Sequence, residues 1–339
     1  MKFKKIAALS TAVIMSASML VGCGNNKSKE NTDKSFKIGM VADIGGINDE
    51  SFNQSAWEGL QKAEKDFGIE VKVIESKQAS EYLQNMESLL DEDVDMVIGV
   101  GYTMKEDIEK QAKNYPDKQF VLIDETYDSI PENVTPILFR ENEAAYLTGL
   151  VAGKMTENNN VGFIGGIQTP VISRFEYGYK AGVKEANKDC NVNVQYAGTF
   201  SDAAKGKSIA NQMYGNGSDI ILAAAGGTGL GSIESAKEQN KYAIGVDRDQ
   251  SDLAPKNVLT SALKKVNVGV YDTVKEFIEG KLTGGQEKVY GLKEDGVGIP
   301  ETTKNLVPQD IIDYVNSMIE KIKNDEIKVP SNEEEYKSM

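Results

Sequence analysis

The stretch KIGMVADIGGINDESFNQSAWEGLQKAEKDFGIEVKVIE, residues 37–75, sets the architecture. An apolar run at 38–42 leads into a polar, glycine-bearing loop, then a helical pattern over 51–67, then a β-branched run at 71–75. Strand, helix and strand in that order make a βαβ unit with parallel strands. The alternation continues with a helix at 79–90, a strand at 96–100, a helix at 105–114 and a strand at 120–124. The run 95–100 is apolar without alternation, as a strand covered on both faces requires.

Beyond a connecting stretch around 136–142 a second series repeats the pattern. Strands are expected at 161–165, 192–197, 220–224 and 242–247, and helices at 175–186, 203–214 and 232–239. A strand at 258–263, a helix at 270–279, a strand near 288–292 and a helix near 309–323 exceed what two simple halves need, so the chain crosses back between lobes. The expectation is an α/β protein of two lobes, each a mainly parallel sheet flanked by helices. Lobe 1 spans 36–138 plus about 263–285, lobe 2 spans 139–262 plus about 286–325, and a charged tail covers 326–339, of which 331–339 is expected to be frayed.

The N-terminus reads Met1-Lys2-Phe3-Lys4-Lys5 and then an apolar run to residue 21, a basic region before a stretch too short to span a membrane. Residues 20–23, LVGC, resemble the bacterial lipobox, which marks 1–22 as a lipoprotein signal peptide and Cys23 as the lipidation site. Residues 23–35, rich in Asn, Lys and Ser, read as a lipidated, flexible tether. Cleavage takes away three lysines, so the net charge of −14 becomes −17 on 317 residues. That balance argues against nucleic acid or anionic headgroups as partners of the body, so the acyl chain is the expected membrane contact. The length suits two lobes rather than one core. The chain has no histidine, and only Cys190 remains once Cys23 is acylated. Histidine catalysis, histidine metal sites and an intramolecular disulfide drop out.

In open α/β sheets ligands sit beyond the carboxyl ends of strands, so the residues after each apolar run are the candidates. After the first strand come Asp43, Phe52 and Asn53. Phe52, in the first turn of a helix, is either a staple onto that helix or a face for stacking. Asp43, Asp49 and Glu50 are hard oxygen ligands, but their spacing fits no calcium loop. After the third strand, Gly101 allows close backbone approach and Tyr102 borders a cleft. Gly227 lies in a glycine run opening a helix, without the lysine of a phosphate loop. Asp124 and Asp247 end strands in the two series. Each either caps the next helix or accepts two hydroxyl or N–H donors at once. Lys264 brings an ammonium to the end of another strand. No catalytic constellation, metal site or cofactor motif is present among these residues.

Five segments together resemble the basic membrane protein (BMP) family of substrate-binding lipoproteins: DIGGINDESFNQSAWEG at 43–59, GVGY at 99–102, AGGTG at 225–229, GVDRDQ at 245–250 and TSALK at 260–264. The resemblance spans about 37–323. It implies a type I periplasmic-binding-protein-like clamp, a purine or other nucleoside as ligand, and delivery to the permease and ATPase subunits of an ABC importer. It also implies a monomer anchored at the extracytoplasmic face of the cell membrane. Phe52 would then stack on the base, Asn53 and Asp124 read its polar edge, and Asp247 and Lys264 hold the ribose hydroxyls, with Asp43, Gly101 and Gly227 lining the cleft. Relatives place a second aromatic near the position of Leu222; leucine here leaves Phe175 as the candidate for the far side of the sandwich. A sugar- or signal-binding lipoprotein of the same fold is the alternative, and a nucleoside hydrolase a more distant one, because a fold does not fix its ligand.

Overall fold

The computed structural model describes residues 36–339. The expected signal peptide 1–22, the expected lipidation site Cys23 and the expected tether to residue 35 lie outside the described residues. The first series consists of β1 (Lys37–Ala42), α1 (Phe52–Phe67), β2 (Glu70–Glu75), α2 (Tyr82–Asp91), β3 (Met96–Val100), α3 (Lys105–Asn114), β4 (Gln119–Ile123) and β5 (Val134–Phe139). The second consists of α4 (Glu141–Met155), β6 (Asn160–Gly165), α5 (Pro170–Ala186), β7 (Asn191–Tyr196), α6 (Ala203–Gly215), β8 (Ile220–Ala224), α7 (Gly227–Glu238), β9 (Tyr242–Asp247) and β10 (Val258–Lys264). Then follow α8 (Val266–Ile278), β11 (Lys288–Tyr290), β12 (Val297–Gly298), α9 (Gln309–Lys323) and α10 (Glu333–Lys337).

The strands form two six-stranded sheets, ordered β11-β5-β4-β3-β1-β2 and β12-β10-β9-β8-β6-β7. Counted from its own first strand, each sheet has the same doubly wound order, with helices on its faces: the two-lobed clamp. All pairings are parallel except β10 with β12. Every residue of β3 and β8 is buried, which is why their sequences are apolar without alternation. Strand order reverses between β1 and β3 and again between β6 and β8. Crevices for ligands open at the carboxyl ends there.

The stretch around 136–142 is not a connection but β5 followed by α4. Pro136 obscured the strand. Its missing N–H faces away from β4, since the amides of Phe120 in β4 and of Asp124 just beyond it bond the carbonyls of Asn133 and Ile137. The neighbour on that side, β11, begins only at Ile137, so no ladder bond is lost. Helix α4 is buried over 13 of its 15 residues, so it lacks the one-sided apolar stripe by which a helix is recognised. It lies so close to α5 that a Cβ on Gly149 would meet the Tyr179 carbonyl at 2.3 Å and one on Gly182 the Tyr146 carbonyl at 2.0 Å.

The chain passes between the sheets at Arg140, at Lys265 and through Gly291–Gly296. Arg140 N donates to Tyr290 O (2.9 Å) and Lys265 N to Gly296 O (2.8 Å), which ties the crossings together. The second-lobe stretch expected from residue 286 starts later, since Lys288–Tyr290 pairs with β5 in the first sheet. The tail is not frayed: Asn142 Nδ2 donates to Val329 O (2.9 Å), and Tyr336 of α10 sits 5.9 Å from the Tyr177 ring on α5.

Candidate functional site

The loop between β1 and α1 is held by its own polar groups. Asp49 accepts from the amides of Ser51 (2.9 Å), Asn53 (2.9 Å) and Gln54 (3.1 Å), satisfying the free N–H groups that open α1. Asn53 Nδ2 donates to Asp43 Oδ1 (2.8 Å) and Asp49 Oδ2 (3.0 Å), and its Oδ1 accepts from Asp43 N (3.0 Å). Both amide hydrogens of Asn53 are therefore spent inside the loop, which leaves it one lone pair rather than a full edge to offer. The result is a fixed loop that presents Phe52 to the crevice.

The strand ends close the floor. Gly101 after β3 has φ 116°, a conformation side chains avoid, and a Cβ there would stand 3.8 Å from the Phe52 ring. Asp124 after β4 and Asp247 at the end of β9 both adopt left-handed backbone, φ 74° and 64°. Aspartate tolerates this better than most residues, and paired outliers at equivalent strand ends are what a ligand site stores. Neither carboxylate caps a helix: Asp124 Oδ2 takes the Lys264 ammonium and Asp247 Oδ2 takes the Ser51 hydroxyl.

Lys264 is 1% exposed, and its ammonium lies 4.9 Å from the centre of the Phe52 ring and 5.4 Å from that of Phe139. Burial opposes its charge, but Asp124, Glu141 and Asp247 outweigh that and raise its pKa. Glu141, the first residue of α4, is fully buried and bonds Arg174 Nε through Oε1 (2.7 Å). Among the described residues nothing bonds Glu141 Oε2 or Asp124 Oδ1. Burial pushes the carboxyls of Asp43 and Asp247 up to about 6. For Asp43 the Gly45 amide and Asn53 work against it, and for Asp247 Lys264 and Ser51.

Asp43, Phe52, Asn53, Gly101, Tyr102 and Asp124 from one lobe, and Phe175, Gly227, Asp247 and Lys264 from the other, line one cleft. Leu222 is buried in the core and does not line it, so the aromatics of the second lobe are Phe175 and Phe200. Phe200 was legible by the same strand-end rule applied to β7. Its ring lies over Gly166, where a Cβ would meet it at 2.2 Å. Ser51, Glu141 and Arg174 were also missed. The first looks like an ordinary helix cap, and the other two belong to helices whose burial or partner the sequence does not display. Asp49 and Glu50, the other acids of the loop, are taken up by helix amides and by Arg248 (2.7 Å).

Residues 36–333 match the family described as Bmp, ABC transporter substrate-binding protein PnrA-like. A CD4+ T-cell-stimulating antigen of Listeria monocytogenes is 39% identical, over 96% of this chain and 99% of its own length. The ABC transporter nucleoside-binding protein BmpA of Lactococcus lactis subsp. cremoris is 38% identical, over 87% of this chain and 91% of its own. Among solved structures, an ABC transporter solute-binding protein from Aeropyrum pernix K1 superposes with TM-score 0.82 at 27% identity, over 89% of this chain and 96% of that one.

Proposed function

The chain belongs to the Bmp family of PnrA-like ABC transporter substrate-binding proteins, which bind rather than transform their substrates, and on that premise we propose that its ligand is a nucleoside with a purine base. The observation that carries this reading is the conjunction, in one cleft, of the aromatic ring of Phe52 with two strand-end carboxylates and the buried Lys264. An uncharged sugar-base needs stacking area and a few fully paired polar groups. Phe52 stacks on the base, Asp124 accepts N–H donors through its unbonded oxygen, and Asp247 and Lys264 hold the ribose hydroxyls. The nucleoside-binding relative supports the same ligand class. The cleft draws on both lobes, so closure buries the ligand.

Isothermal titration against nucleosides, purine bases and pentoses tests this. Nucleosides are expected to bind tightest, and a protein that takes pentoses and ignores nucleosides ends the proposal. The affinity is also expected to depend on pH. Hydroxyls donate to the ionised form of Asp247, whose carboxyl stands at about 6. Binding is therefore complete above pH 7 and lost as pH falls through 6, by up to about tenfold per unit for that proton. A profile flat from pH 5 to 8 removes Asp247 from the contact.

We further propose that acylated Cys23 holds the protein at the extracytoplasmic membrane face, where a monomer hands its ligand to an ABC permease and its ATPase. Among the described residues no helix is long and apolar enough to cross a membrane. Cys23→Ala is expected to release the protein into the medium. Retention of that variant in the membrane fraction at high salt rules the anchor out.

A further inference from the structure

Ser51 occupies the N-cap of α1, the place where serine ordinarily bonds a helix amide, yet its hydroxyl makes no such bond. Asp49 does the capping, and the Ser51 hydroxyl, fully buried, reaches from the first lobe to Asp247 Oδ2 on the second. The loop after β9 docks on the same segment. Arg248 bonds Glu50 (2.7 Å) and Glu58 (2.8 Å), and Gln250 Nε2 donates to Glu50 O (2.8 Å). Gln250 is itself fixed by β9 and β10, accepting from Val246 N (3.1 Å) and donating from its own amide to Ser261 Oγ (3.1 Å). Residues 247–250 are thus a rigid piece of the second lobe that meets residues 50–58 of the first.

We infer that Ser51 is a positioning residue that orients the Asp247 carboxylate from the opposite lobe, so that hydroxyl recognition is assembled only when the cleft closes. The inference rests on reading Asp247 as the group that accepts the ribose hydroxyls. The terminal torsion of an aspartate is soft, and one donor on Oδ2 fixes the plane of the carboxylate. Four lone-pair sites minus the one Ser51 uses leave enough for two ribose hydroxyls. When the lobes part, Ser51 leaves with α1 and the carboxylate regains its freedom. A base without ribose does not need this contact.

Ser51→Ala, Asp247→Asn and the wild type are titrated calorimetrically with inosine, 2′,3′-dideoxyinosine and hypoxanthine, with circular dichroism as the folding control. Ser51→Ala is expected to weaken inosine roughly tenfold, the loss of one well-placed hydrogen bond to a charged group, and to change the other two by less than about twofold. Ser51→Gly removes the same hydroxyl at a cap position where glycine is tolerated, and replaces the alanine variant if that one does not fold. Equal weakening of all three ligands makes Ser51 merely structural and overturns the inference. So does an unchanged Ser51→Ala beside an impaired Asp247→Asn. If Asp247→Asn binds inosine as the wild type does, the underlying ribose assignment fails and the inference with it.

Discussion

Lys264→Met is expected to destabilise the fold by about 3–5 kcal/mol, the usual consequence of removing one member of a buried ion pair, and to abolish nucleoside binding. Methionine fills the space of the lysine stem. What disappears is the cation to which Asp124, Glu141 and Asp247 are all drawn. Glu141 keeps Arg174, but Asp124 loses the bond to its Oδ2 while its Oδ1 already has no partner among the described residues. The sign of the pH dependence follows. Without the ammonium the carboxyl of Asp247, already at about 6, rises further, so the penalty is full at alkaline pH and shrinks as pH falls and Asp247 takes up a proton. Urea denaturation at pH 8 and pH 5.5 measures both. A variant as stable as the wild type at pH 8, or one whose deficit grows on acidification, contradicts this account of the cluster.

Asp247→Asn is expected to weaken nucleoside binding by roughly 2–4 kcal/mol, the range for disabling one partner of a buried charged hydrogen bond. The free base should lose little. Asparagine accepts left-handed backbone as readily as aspartate, so the φ of 64° need not change and the loss reports on the carboxylate rather than on strain. Phe52→Ala is the contrasting variant: loss of stacking, worth about 1–3 kcal/mol per base, should weaken nucleoside and base alike. Titration of both variants with inosine and hypoxanthine distinguishes them. If Asp247→Asn spares the nucleoside, the ribose is held elsewhere.

The parts of the fold that are legible from residues alone are those in which local pattern and burial coincide. The strands β1, β3 and β8 announce themselves because both faces are covered, and α1 because one face is. Helix α4 is invisible for the opposite reason, since it is enclosed on all sides and has no polar face to set a period. Strand β5 is hidden by Pro136, whose harmlessness depends on where a strand from residue 288 happens to begin.

The site divides in the same way. Asp43, Phe52, Gly101, Asp124, Asp247 and Lys264 can be picked out in the linear chain, because a ligand crevice must lie at the strand ends and each of them stands at such an end or, for Phe52, opens the helix that follows one. Their roles were not readable there. Asn53 looks like a free amide until Asp43 and Asp49 consume its hydrogens, and Ser51 looks like a cap until Asp49 is found capping. The bonds on which the proposed roles rest join residues 196 apart in the case of Ser51 and Asp247 and 140 apart in the case of Lys264 and Asp124. Composition and periodicity describe neighbours within a few turns or strands. They carry no information on which charge meets which across a cleft, and that depends on how two separately wound sheets come to face each other.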